Sequence, residues 1–463
     1  MPESGLTAGI ILAAGEGTRM RSSLPKVLHK LAGRTFLERV MASVTALDPG
    51  LTAVVVHFQA EKVAEAARSY DGQVRIVQQD DCPGTGRAVQ CAMDQLRQSL
   101  DPNGYVLIAA SDMPLLDTDT LRGLIDHHVR TGDGATVLTA NLDDPTGYGR
   151  IIRDQDGRVL RIVEQKDATG TELAVKEVNT SVYVFDVDVL CQAIRGLRDS
   201  NAQGEFYLTD ALEVARQSGT VGAFTAPDPL SVEGVNDRVQ LAALAKDHNI
   251  RVCHELMRSG VTILDPATTW IEDDVSIEPD ATILPGCLLQ GHTAISADAV
   301  IGPYTTLIDA TIDQGATVER SRIQETHIGA RASIGPWTYL RPGNDLAEDT
   351  KAGAFVEMKK AHIDHGTKVP HLSYVGDTHI GHDSNVGGGT ITANYDGVHK
   401  NRTEIGSGVH VGAGNLFVAP VQVGDEATTG AGSVIRHQVP EGAMVYSTND
   451  QHTVGDWKPE WER

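Results

Sequence analysis

A glycine-rich loop near the start of the chain carries residue types suited to binding a phosphorylated ligand. An apolar run leads into Leu12-Ala13-Ala14-Gly15-Glu16-Gly17-Thr18-Arg19-Met20, and Leu24-Pro25-Lys26 follows. Glycines at a strand-to-helix turn let backbone N–H groups approach phosphate oxygens, and Arg19 and Lys26 can neutralise the remaining charge. The pattern lacks the Lys-Ser/Thr end of a Walker A loop and, with Met20, the third glycine of a dinucleotide fingerprint. It predicts a phosphate-binding loop of another class, with an ordinary glycine turn as the alternative.

A carboxylate follows another apolar run. Asp112 comes directly after the run from Tyr105 to Ala110 and a single serine. The carboxyl ends of parallel strands form the edge of a sheet at which ligands bind. A hard cation that bridges phosphates takes oxygen ligands and needs few of them from the protein. Asp112 is therefore a candidate metal ligand, and a turn or N-cap carboxylate before Pro114 is the simpler alternative.

The second half of the chain is rich in histidine. The residues in question are His362, His365, His371, His379, His382, His399 and His410. The pairs His362-x-x-His365 and His379-x-x-His382 have the spacing of metal ligands, but matching carboxylate or thiolate ligands and a helix to carry them are not evident. We interpret most of these histidines as solvated residues at the corners of the fold described next.

Aliphatic residues recur every six positions in this second half. The series begins with Ile271, Ile277, Ile283, Leu289, Ile295, Ile301 and Leu307 and resumes as far as Ile435. This period is typical of a parallel β-helix with triangular coils of three short strands, in which glycine or small residues make the corners. The steps break at 347–362 and 388–404. Insertions in a solenoid become loops on one face, so both ranges are predicted to be loops at a binding face.

The first half has a different pattern. Apolar runs at 8–14, 53–56 and 105–109 alternate with helical patterns at 60–69, 86–98 and 117–130. This alternation predicts an α/β domain with a mainly parallel sheet. We therefore predict an α/β domain over 1–235, a linker helix over 236–259 and a hexapeptide-repeat β-helix domain over 260–463.

Composition restricts the partners and the compartment. The chain has 39 Lys and Arg against 62 Asp and Glu, a formal charge of −23, which repels a nucleic-acid backbone but still allows a small phosphorylated ligand. No apolar run approaches the ~18 residues of a membrane span, and the first residues lack the basic segment of a secretory signal. The five cysteines have no CxxC spacing, so we expect reduced thiols. These features predict a cytoplasmic protein without a nucleic-acid partner or a membrane span.

The glycine-rich loop resembles the signature of the sugar-phosphate nucleotidyltransferases, L-x-x-G-x-G-T-R-M followed by P-K. Further motifs of that family follow in order, at Gln79 with 83–86, 143–150, 164–168, 177–180 and 233–236. Together with the hexapeptide half, they resemble the bacterial bifunctional N-acetylglucosamine-1-phosphate uridylyltransferase/glucosamine-1-phosphate N-acetyltransferases over nearly the whole chain. The resemblance implies an α/β Rossmann-like nucleotidyltransferase domain followed by a left-handed parallel β-helix, and a role in peptidoglycan synthesis and cell wall biogenesis.

For the first half, the resemblance implies an in-line attack of N-acetylglucosamine 1-phosphate on the α-phosphorus of UTP with release of pyrophosphate. Such transfer depends on positioning and charge neutralisation rather than on a nucleophilic side chain. The implied UTP-binding residues are Leu12, Ala13, Ala14, Gly15, Arg19, Lys26, Gln79, Gly84 and Thr85. Gly149, Glu164, Asn179 and Asn236 would bind the sugar phosphate, and Asp112 and Asn236 would bind Mg²⁺.

For the second half, the resemblance implies N-acetylation of glucosamine 1-phosphate by acetyl-CoA. His371 would be the general base that takes a proton from the attacking amine, a role that suits imidazole near neutral pH. The implied sugar-phosphate residues are Arg341, Lys359, Tyr374 and Asn385, and those for acetyl-CoA are Gly388, Asn394, Tyr395, Ala413 and Ala431. Ala413 departs from the serine that the family commonly has there, as does Ala110-Ser111 from its usual Tyr-Gly pair.

Two other functions are compatible with these motifs. The chain could uridylylate another sugar phosphate while the β-helix acts on a different amine, or the β-helix could be a trimerising, regulatory module without catalysis. His371 together with Asn394-Tyr395 argues against the second. A β-helix is narrow, so a site built from its loops needs walls from neighbouring copies, and we predict a homotrimer joined through the β-helices.

Overall fold

The computed structural model describes residues 5–198, 203–448 and 451–455 together with Trp457 and Trp461. It forms two compact units, residues 1–247 and 248–463. The division falls inside the helix Arg238–Arg258, within the segment predicted as a linker helix, so the boundaries at 235 and 260 stay a prediction. Residues 1–4, which entered the expectation that a signal segment is absent, lie outside the described residues. Among the described residues, no helix has both the length and the apolar composition needed to cross a membrane.

A mixed β-sheet forms the centre of the first unit. Its strands, in order across the sheet, are Val221–Thr225, Ala135–Asn141, Glu177–Asp186, Tyr105–Ala110, Leu6–Leu12, Thr52–Val56 and Arg75–Gln78, with Arg150–Arg153 and Val159–Val163 as a hairpin to one side. The three strands predicted from apolar runs are adjacent and parallel. Glu177–Asp186 is antiparallel to both of its neighbours, because the chain returns from the hairpin before entering the sheet. Six of the seven strands in this order run in the same direction, so the sheet is mainly parallel, as predicted, with one antiparallel strand.

Helices cover both faces of this sheet. They are Phe36–Thr45, Ala60–Tyr70, Thr85–Leu96, Thr118–Thr131, Gly170–Leu173, Val187–Ala193 and Thr209–Ser218, with short 3-10 turns at Thr18–Met20, Lys26–Leu28, Arg97–Ser99, Ile194–Gly196 and Pro229–Val232, and a small hairpin of Lys30–Leu31 with Arg34–Thr35. Successive residues of one strand enter different cores: Ile10 belongs to the cluster that holds Val89, and Ile11 to the cluster that holds Val40. This burial on both sides explains the unbroken apolar runs of the predicted strands.

The second unit is a parallel β-helix with three faces. The first face consists of Thr262–Ile263, Thr282–Ile283, Val300–Ile301, Thr317–Val318, Ser333–Ile334, Lys351–Ala354, Lys368–His371, Asn385–Val386, His410–Val411, Thr428–Thr429 and Met444–Val445. The second consists of Trp270–Ile271, Leu288–Gln290, Thr306–Ile308, Arg322–Gln324, Tyr339–Leu340, Glu357–Lys359, Tyr374–Gly376, Ile391–Ala393, Leu416–Val418 and Val434–Ile435. The third consists of Ser276–Ile277, Ala294–Ile295, Thr311–Ile312, Thr326–Ile328, Asn344–Leu346, His362–Ile363, Thr378–Ile380, Thr403–Ile405 and Val421–Val423.

The six-residue period arises because each strand buries one aliphatic residue. Ile283, Leu289 and Ile295 lie on the three faces of one coil, and all three are almost wholly buried in a single continuous core. Each strand pairs in parallel with the equivalent strand of the next coil, as Thr282 does with Val300. The predicted fold class, an α/β Rossmann-like domain followed by a left-handed parallel β-helix, is confirmed.

One of the two predicted insertions is wrong. Residues 351–354 and 357–359 are strands in register with the coils on either side, and Lys351 pairs with Lys368 of the next coil. The six-residue step continues from Leu346 through Ala352 and Met358, and only the corner between the second and third faces is one residue shorter before Ile363, with Lys360 in a left-handed conformation at φ 49°. The insertion at 388–404 is real, since Asn385 pairs with His410 and the coil between these two partners is longer than the coils before and after it.

Candidate active sites

A cavity of about 550 Å³ lies at the carboxyl ends of the parallel strands of the first unit. Leu12, His57, Gln79 and Asp112 each end or closely follow one of these strands and line the cavity. Of the residues predicted for UTP and metal binding, Leu12, Ala14, Gly15, Lys26, Gln79, Gly84, Thr85 and Asp112 line it. The edge of the sheet that the sequence indicated therefore holds an open space large enough for a nucleotide-sized ligand.

The glycine-rich loop forms one wall of this cavity. Gly17 has φ 63°, and a Cβ there would lie 2.5 Å from the Cβ of Lys26. A larger residue would be strained and would push the lysine away, so the glycine lets the Lys26 stem pack against the loop. The loop thereby directs the Lys26 side chain, which is only 12% exposed, into the cavity.

A network of two cations and two oxygen-bearing side chains lies beside the loop. The Lys26 Nζ donates to Asp112 Oδ2 at 2.7 Å and to Asn236 Oδ1 at 3.2 Å. Arg19 donates to the same Asn236 oxygen at 2.8 Å, and the backbone of Val235 donates to the Asp112 carbonyl at 2.8 Å. Asp112 and Asn236 thus offer two hard oxygen donors to one position that already attracts a positive charge, a donor set that fits Mg²⁺.

The opposite wall is the segment from Gln79 to Thr85. Gln79 Nε2 donates to the Cys82 carbonyl at 2.8 Å and so holds the turn that follows its strand. Gly84 has φ 118°, and a Cβ there would lie 2.3 Å from the Phe206 carbonyl oxygen. Thr85 Oγ1 accepts a hydrogen bond from the Leu208 backbone at 3.1 Å. Only glycine at position 84 allows this close packing, which closes the wall.

Three of the four predicted sugar-phosphate residues of the first unit form a separate group, whereas the fourth, Asn236, belongs to the network around Lys26. Asn179 donates its backbone N–H to the Gly149 carbonyl at 2.9 Å, and a Cβ on Gly149 would lie 3.4 Å from the Glu164 carboxylate oxygens. Thr209 donates to Glu164 at 3.4 Å, and burial raises the pKa of Glu164 above its usual range. These three residues lie together, but they are not among those that line the cavity.

Three cations converge on the β-helix. Arg341 and Lys359 lie in adjacent coils of the second face, since the Arg341 N–H donates to the Met358 carbonyl at 2.9 Å. Lys400 lies beside Lys359 and is the main cause of a pKa of Lys359 below its usual range. Arg341 lowers this pKa to a lesser degree. Glu357 accepts a hydrogen bond from Arg341 at 3.1 Å. A cluster with this excess of positive charge favours an anion such as a phosphate.

Two side chains converge over Gly376, which pairs with Lys359 on the second face. A Cβ on Gly376 would lie 2.5 Å from the Tyr374 hydroxyl and 2.9 Å from Asn394 Nδ2. Asn394 also donates to the carboxylate of Asp377. The predicted sugar-phosphate residue Tyr374 and the predicted acetyl-CoA residue Asn394 are therefore neighbours, close to the three cations.

His371 ends the strand Lys368–His371 at the corner between the first and second faces, where its side chain is exposed. Gly388 lies directly against it, because a Cβ there would lie 3.3 Å from the His371 Cβ. In later coils the same corner carries only Ala413 and Ala431 beside further glycines; the N–H of Gly432 bonds to the Ala413 carbonyl. A strip of backbone without large side chains therefore runs away from the imidazole.

Comparison with known proteins identifies the family. Residues 9–169 match a family model described as a MobA-like NTP transferase domain. The chain is 74% identical over 458 residues to Bifunctional protein GlmU of Bifidobacterium longum (strain NCC 2705), a match that spans 99% of this chain and 100% of that protein. It is 51% identical to Bifunctional protein GlmU of Mycolicibacterium gilvum (97% and 91%) and 48% identical to that of Paenarthrobacter aurescens (98% and 92%). The chain belongs to the GlmU family. The predicted resemblance is thereby confirmed.

Membership of the GlmU family also confirms the predicted enzyme class. The chain is a bifunctional transferase of UDP-N-acetylglucosamine synthesis, with uridylyltransferase and glucosamine-1-phosphate N-acetyltransferase activities, and it acts on nucleotide and other small-molecule substrates. A β-helix without catalysis, one of the alternatives drawn from the sequence, does not fit a bifunctional family. The assignment of individual site residues stays a prediction.

One of the residues predicted for the acetyl site lies apart from the others. Asn385 pairs with Lys368 at the start of the first-face strand that ends in His371. Three residues of extended strand separate these ends by about 10 Å. Asn385 therefore does not join Arg341 and Lys359, which lie on the second face, within a single chain.

Sequence reasoning missed several residues that shape these GlmU sites. Arg150 is 2% exposed and donates to Gln165 Oε1 at 2.8 Å and to the Tyr148 carbonyl, while the Tyr148 hydroxyl accepts from the Gly234 N–H at 3.0 Å. These bonds hold the turn before Gly149. Both residues were within the quoted motif 143–150, so the signal was present. Lys400 was missed because its role depends on where the insertion folds.

The interpretation of the histidines as corner residues is wrong for His362, His379 and His410, which lie in strands. His362 and His379 lie in strands of the third face and are register partners. The residues of the pairs His362-x-x-His365 and His379-x-x-His382 were considered as metal ligands because they are close in sequence, but these are not the histidines that meet in the fold. The residues that meet occupy the same position in two successive coils.

Proposed function

We propose that the cavity of the first unit is the uridylyl-transfer site. The observation that carries this proposal is the network in which Lys26 contacts Asp112 and Asn236 while Arg19 contacts Asn236, with Lys26 and Asp112 lining the same cavity as the glycine-rich loop. The triphosphate of UTP binds along the loop, where backbone N–H groups and the two cations offset its charge. Asp112 and Asn236 would hold Mg²⁺, which supplies positive charge to the phosphate oxygens when it is bound.

The side chains around the cavity act by position and charge. Lys26 already contacts Asp112, so it can move to a phosphate oxygen once a cation takes its place at the carboxylate. Gly149, Glu164 and Asn179 hold the sugar phosphate so that one of its oxygens faces the α-phosphorus of UTP. Pyrophosphate then leaves in line, and no covalent intermediate on the protein is required.

We propose that the acetyl-transfer site lies between His371 and the cluster of Arg341, Lys359 and Lys400. The three cations bind the phosphate of glucosamine 1-phosphate. His371 takes a proton from the amine as its nitrogen attacks the thioester carbonyl; the carbon–sulfur bond breaks, and coenzyme A leaves with a proton. The strip at Gly388, Ala413 and Ala431 lets the acetyl-CoA arm approach His371, beside Asn394 and Tyr395.

We infer that the chain assembles as a homotrimer through its β-helices. An apolar ridge of exposed side chains, Tyr304, Trp337, Phe355 and Leu372, runs along the corner that also carries His371. Trp337 and Phe355 stack with ring centroids 5.3 Å apart, and they are 56% and 59% exposed. Contiguous exposed apolar surface is typical of an interface. A second copy could also supply Asn385 to a site that one chain leaves incomplete.

The free state of all five cysteines supports a reducing, cytoplasmic location for both reactions. Two assays on the purified chain test the function. Pyrophosphate release is measured from UTP and Mg²⁺ with a panel of sugar 1-phosphates, and thiol release from acetyl-CoA with glucosamine 1-phosphate. We expect preference for N-acetylglucosamine 1-phosphate in the first assay; equal turnover of other sugar phosphates would contradict the proposed substrate.

The molecular mass in solution tests the assembly. We expect three times the mass of one chain, and dissociation when Trp337 and Phe355 are both replaced by serine. A stable monomer with full acetyltransferase activity would contradict the trimer, whereas a trimer that survives the double substitution would move the interface away from the apolar ridge.

A further inference from the structure

A continuous column of histidines and carboxylates runs along the outer surface of the third face. His327 contacts Asp313 and Asp345, at 2.9 and 2.8 Å. His362 contacts Asp345 and Asp364, at 3.2 and 3.3 Å. His379 contacts Asp364 and Glu404, at 3.0 and 3.1 Å. Each imidazole thus has one carboxylate at each ring nitrogen.

An imidazole between two carboxylates needs a positive charge at its second ring nitrogen. A carboxylate accepts hydrogen bonds but does not donate them, and a neutral imidazole carries only one N–H. A neutral histidine between two carboxylates therefore leaves one nitrogen lone pair facing an oxygen lone pair. Either a second proton or a metal ion at that nitrogen removes the repulsion.

The histidines of the column differ in how this requirement can be met. At His327, burial lowers the pKa, but hydrogen bonds to Asp345 and Asp313 outweigh it and raise the pKa overall, which favours a second proton. His362 and His379 instead lie side by side, with ring centroids 5.3 Å apart. Protonating both would place two positive charges next to each other, whereas one divalent ion could serve both rings.

The geometry around Asp364 is that of a ligand set. The Nε2 atoms of His362 and His379 both point at this carboxylate, one at each oxygen. The ligand atoms of the three residues all lie within 4.8 Å of one another. Ligands about 2.0–2.1 Å from a tetrahedral zinc ion are roughly 3.3 Å apart. The Nε2 atoms of His362 and His379 lie 3.3 and 3.0 Å from Oδ1 and Oδ2 of Asp364, close to this spacing.

The outer carboxylates complete this arrangement. The Nδ1 atom of His362 contacts Asp345 and that of His379 contacts Glu404, so each ring can donate its N–H outward and present its Nε2 lone pair inward. Histidines that bind metals in proteins usually donate their second nitrogen to a carboxylate in this way. Glu404 is itself held by Arg402 at 2.9 Å.

A second cluster on the same unit serves as a contrast. Glu348, Asp349 and His365 also lie within ligand distance of one another. There Arg331 already donates to both carboxylates, at 2.7 Å and 2.6 Å. The guanidinium supplies the positive charge, so this cluster does not require a metal ion.

We propose that His362, His379 and Asp364 form a binding site for a divalent transition-metal ion of the zinc class, with two nitrogen ligands, one oxygen ligand and a position open to water. The side chains are between about a third and a half exposed, so an ion can enter from solvent. Ile363 and Ile380 on the same strands point into the core. The site lies on the outside of the β-helix, and a bound ion there would cross-link two successive coils.

The test uses Co²⁺ alone as the probe, because its visible absorption reports coordination number and ligand type. The full-length chain is freed of metal with a chelator and titrated with Co²⁺ in excess Mg²⁺, which occupies sites made only of oxygen ligands. We expect one Co²⁺ per chain with a tetrahedral or five-coordinate spectrum that lacks a thiolate charge-transfer band. His379→Ala and Asp364→Asn should each abolish this spectrum.

Three further variants test which residues the Co²⁺ site requires. Glu404→Gln removes only the outer partner of His379 and should weaken Co²⁺ binding by about 10–100-fold. His382→Ala, an exposed histidine beside Asp383, and His365→Ala should bind Co²⁺ as the unsubstituted chain does. Thermal melting without metal confirms that each variant is folded.

Three results would overturn the proposal. The unsubstituted chain could fail to bind Co²⁺ under these conditions, which would leave protonation as the way in which the column is satisfied. The spectrum could survive in His379→Ala, or it could show thiolate ligation, which would place the ion on a cysteine.

Discussion

The two proposed active sites are assembled in opposite ways. In the α/β unit, the side chains that meet come from distant parts of the sequence: Lys26 and Asp112 are 86 residues apart, and Arg19 and Asn236 are 217 apart. In the β-helix, neighbours such as Lys359 and Gly376 are one coil apart, and the surface they form is a column along a narrow prism. A sheet edge with long loops can enclose a ligand alone, whereas a prism needs additional walls. The four experiments that follow separate the two sites.

The largest effect is expected for His371→Ala. Loss of a positioned general base should lower acetyl transfer by ~10²–10⁴-fold, because the protonated amine cannot attack the thioester. Uridylyl transfer should persist, since His371 lies in the other unit and is exposed. Paired assays of both reactions measure this, with His410→Ala as the matched exposed histidine. Equal loss of both activities would indicate a structural role, and unchanged acetyl transfer would indicate another base.

Asp112→Ala is the counterpart in the α/β unit. Removing the carboxylate that Lys26 contacts takes away a metal ligand, and we expect uridylyl transfer to fall by ~10²–10³-fold while acetyl transfer is kept. Asp119→Asn, on an exposed helix position paired with Arg122, is the control and should be silent. Near-normal Mg²⁺-dependent turnover of UTP by the Asp112 variant would place the metal elsewhere.

A smaller effect is expected for Lys400→Ala in the insertion of the β-helix. The KM for glucosamine 1-phosphate should rise by about tenfold with kcat little changed, as for the loss of one charge-assisted hydrogen bond that binds substrate and transition state alike. Lys400 lowers the pKa of Lys359, so its removal should also move the alkaline decline of kcat/KM to higher pH.

Lys351→Ala is the control for this substitution, because Lys351 is an exposed lysine on the first face. It should change neither KM nor the pH profile. An unchanged KM in the Lys400 variant would show that the insertion does not contact the phosphate.

The smallest effect concerns stability of the α/β unit. Burial raises the pKa of Glu164, so ionisation opposes folding once the pH exceeds the unfolded-state value of about 4.3. Glu164→Gln cannot ionise and should raise Tm at pH 7 by a few °C, of the order expected for ~1 kcal/mol. The gain should vanish as the pH falls to about 4. A difference that is independent of pH, or an equal gain in the exposed Glu61→Gln, would contradict this assignment.

The sequence was most informative where the signal is local. The β-helix was predictable because each coil repeats one buried aliphatic residue every six positions, as Ile283 and Leu289 do. The glycine-rich wall of the cavity was predictable because Leu12 to Lys26 are contiguous. A local sequence pattern does not determine the direction in which a strand enters the sheet, so the antiparallel strand Glu177–Asp186 was not predicted.

The features that the sequence analysis missed depend on how residues distant in sequence come together in the fold. In 347–362 the buried positions are held by Ala352 and Met358 rather than by Ile, Leu or Val, and the corner at Lys360 is shortened, so this range was mistaken for a loop. Arg150 lies within the quoted motif 143–150, but its burial follows from its partners Gln165 and Tyr148, which the motif alone does not reveal. His362 and His379 meet only because the length of the coil between them brings both to the same position on the third face.

The corners of the β-helix differ in how freely their length changes. From the third face to the first, the step between register positions is constant, as from Ser276 to Thr282 and from Glu404 to His410. From the second face to the third it varies, and it is longest between Ile391 and Glu404. The pairing of the strands is the same on both sides of each change. One edge of the prism is thus a place where segments can be lengthened or exchanged without altering the core, and it offers a natural position for grafting a new recognition loop onto an unchanged scaffold.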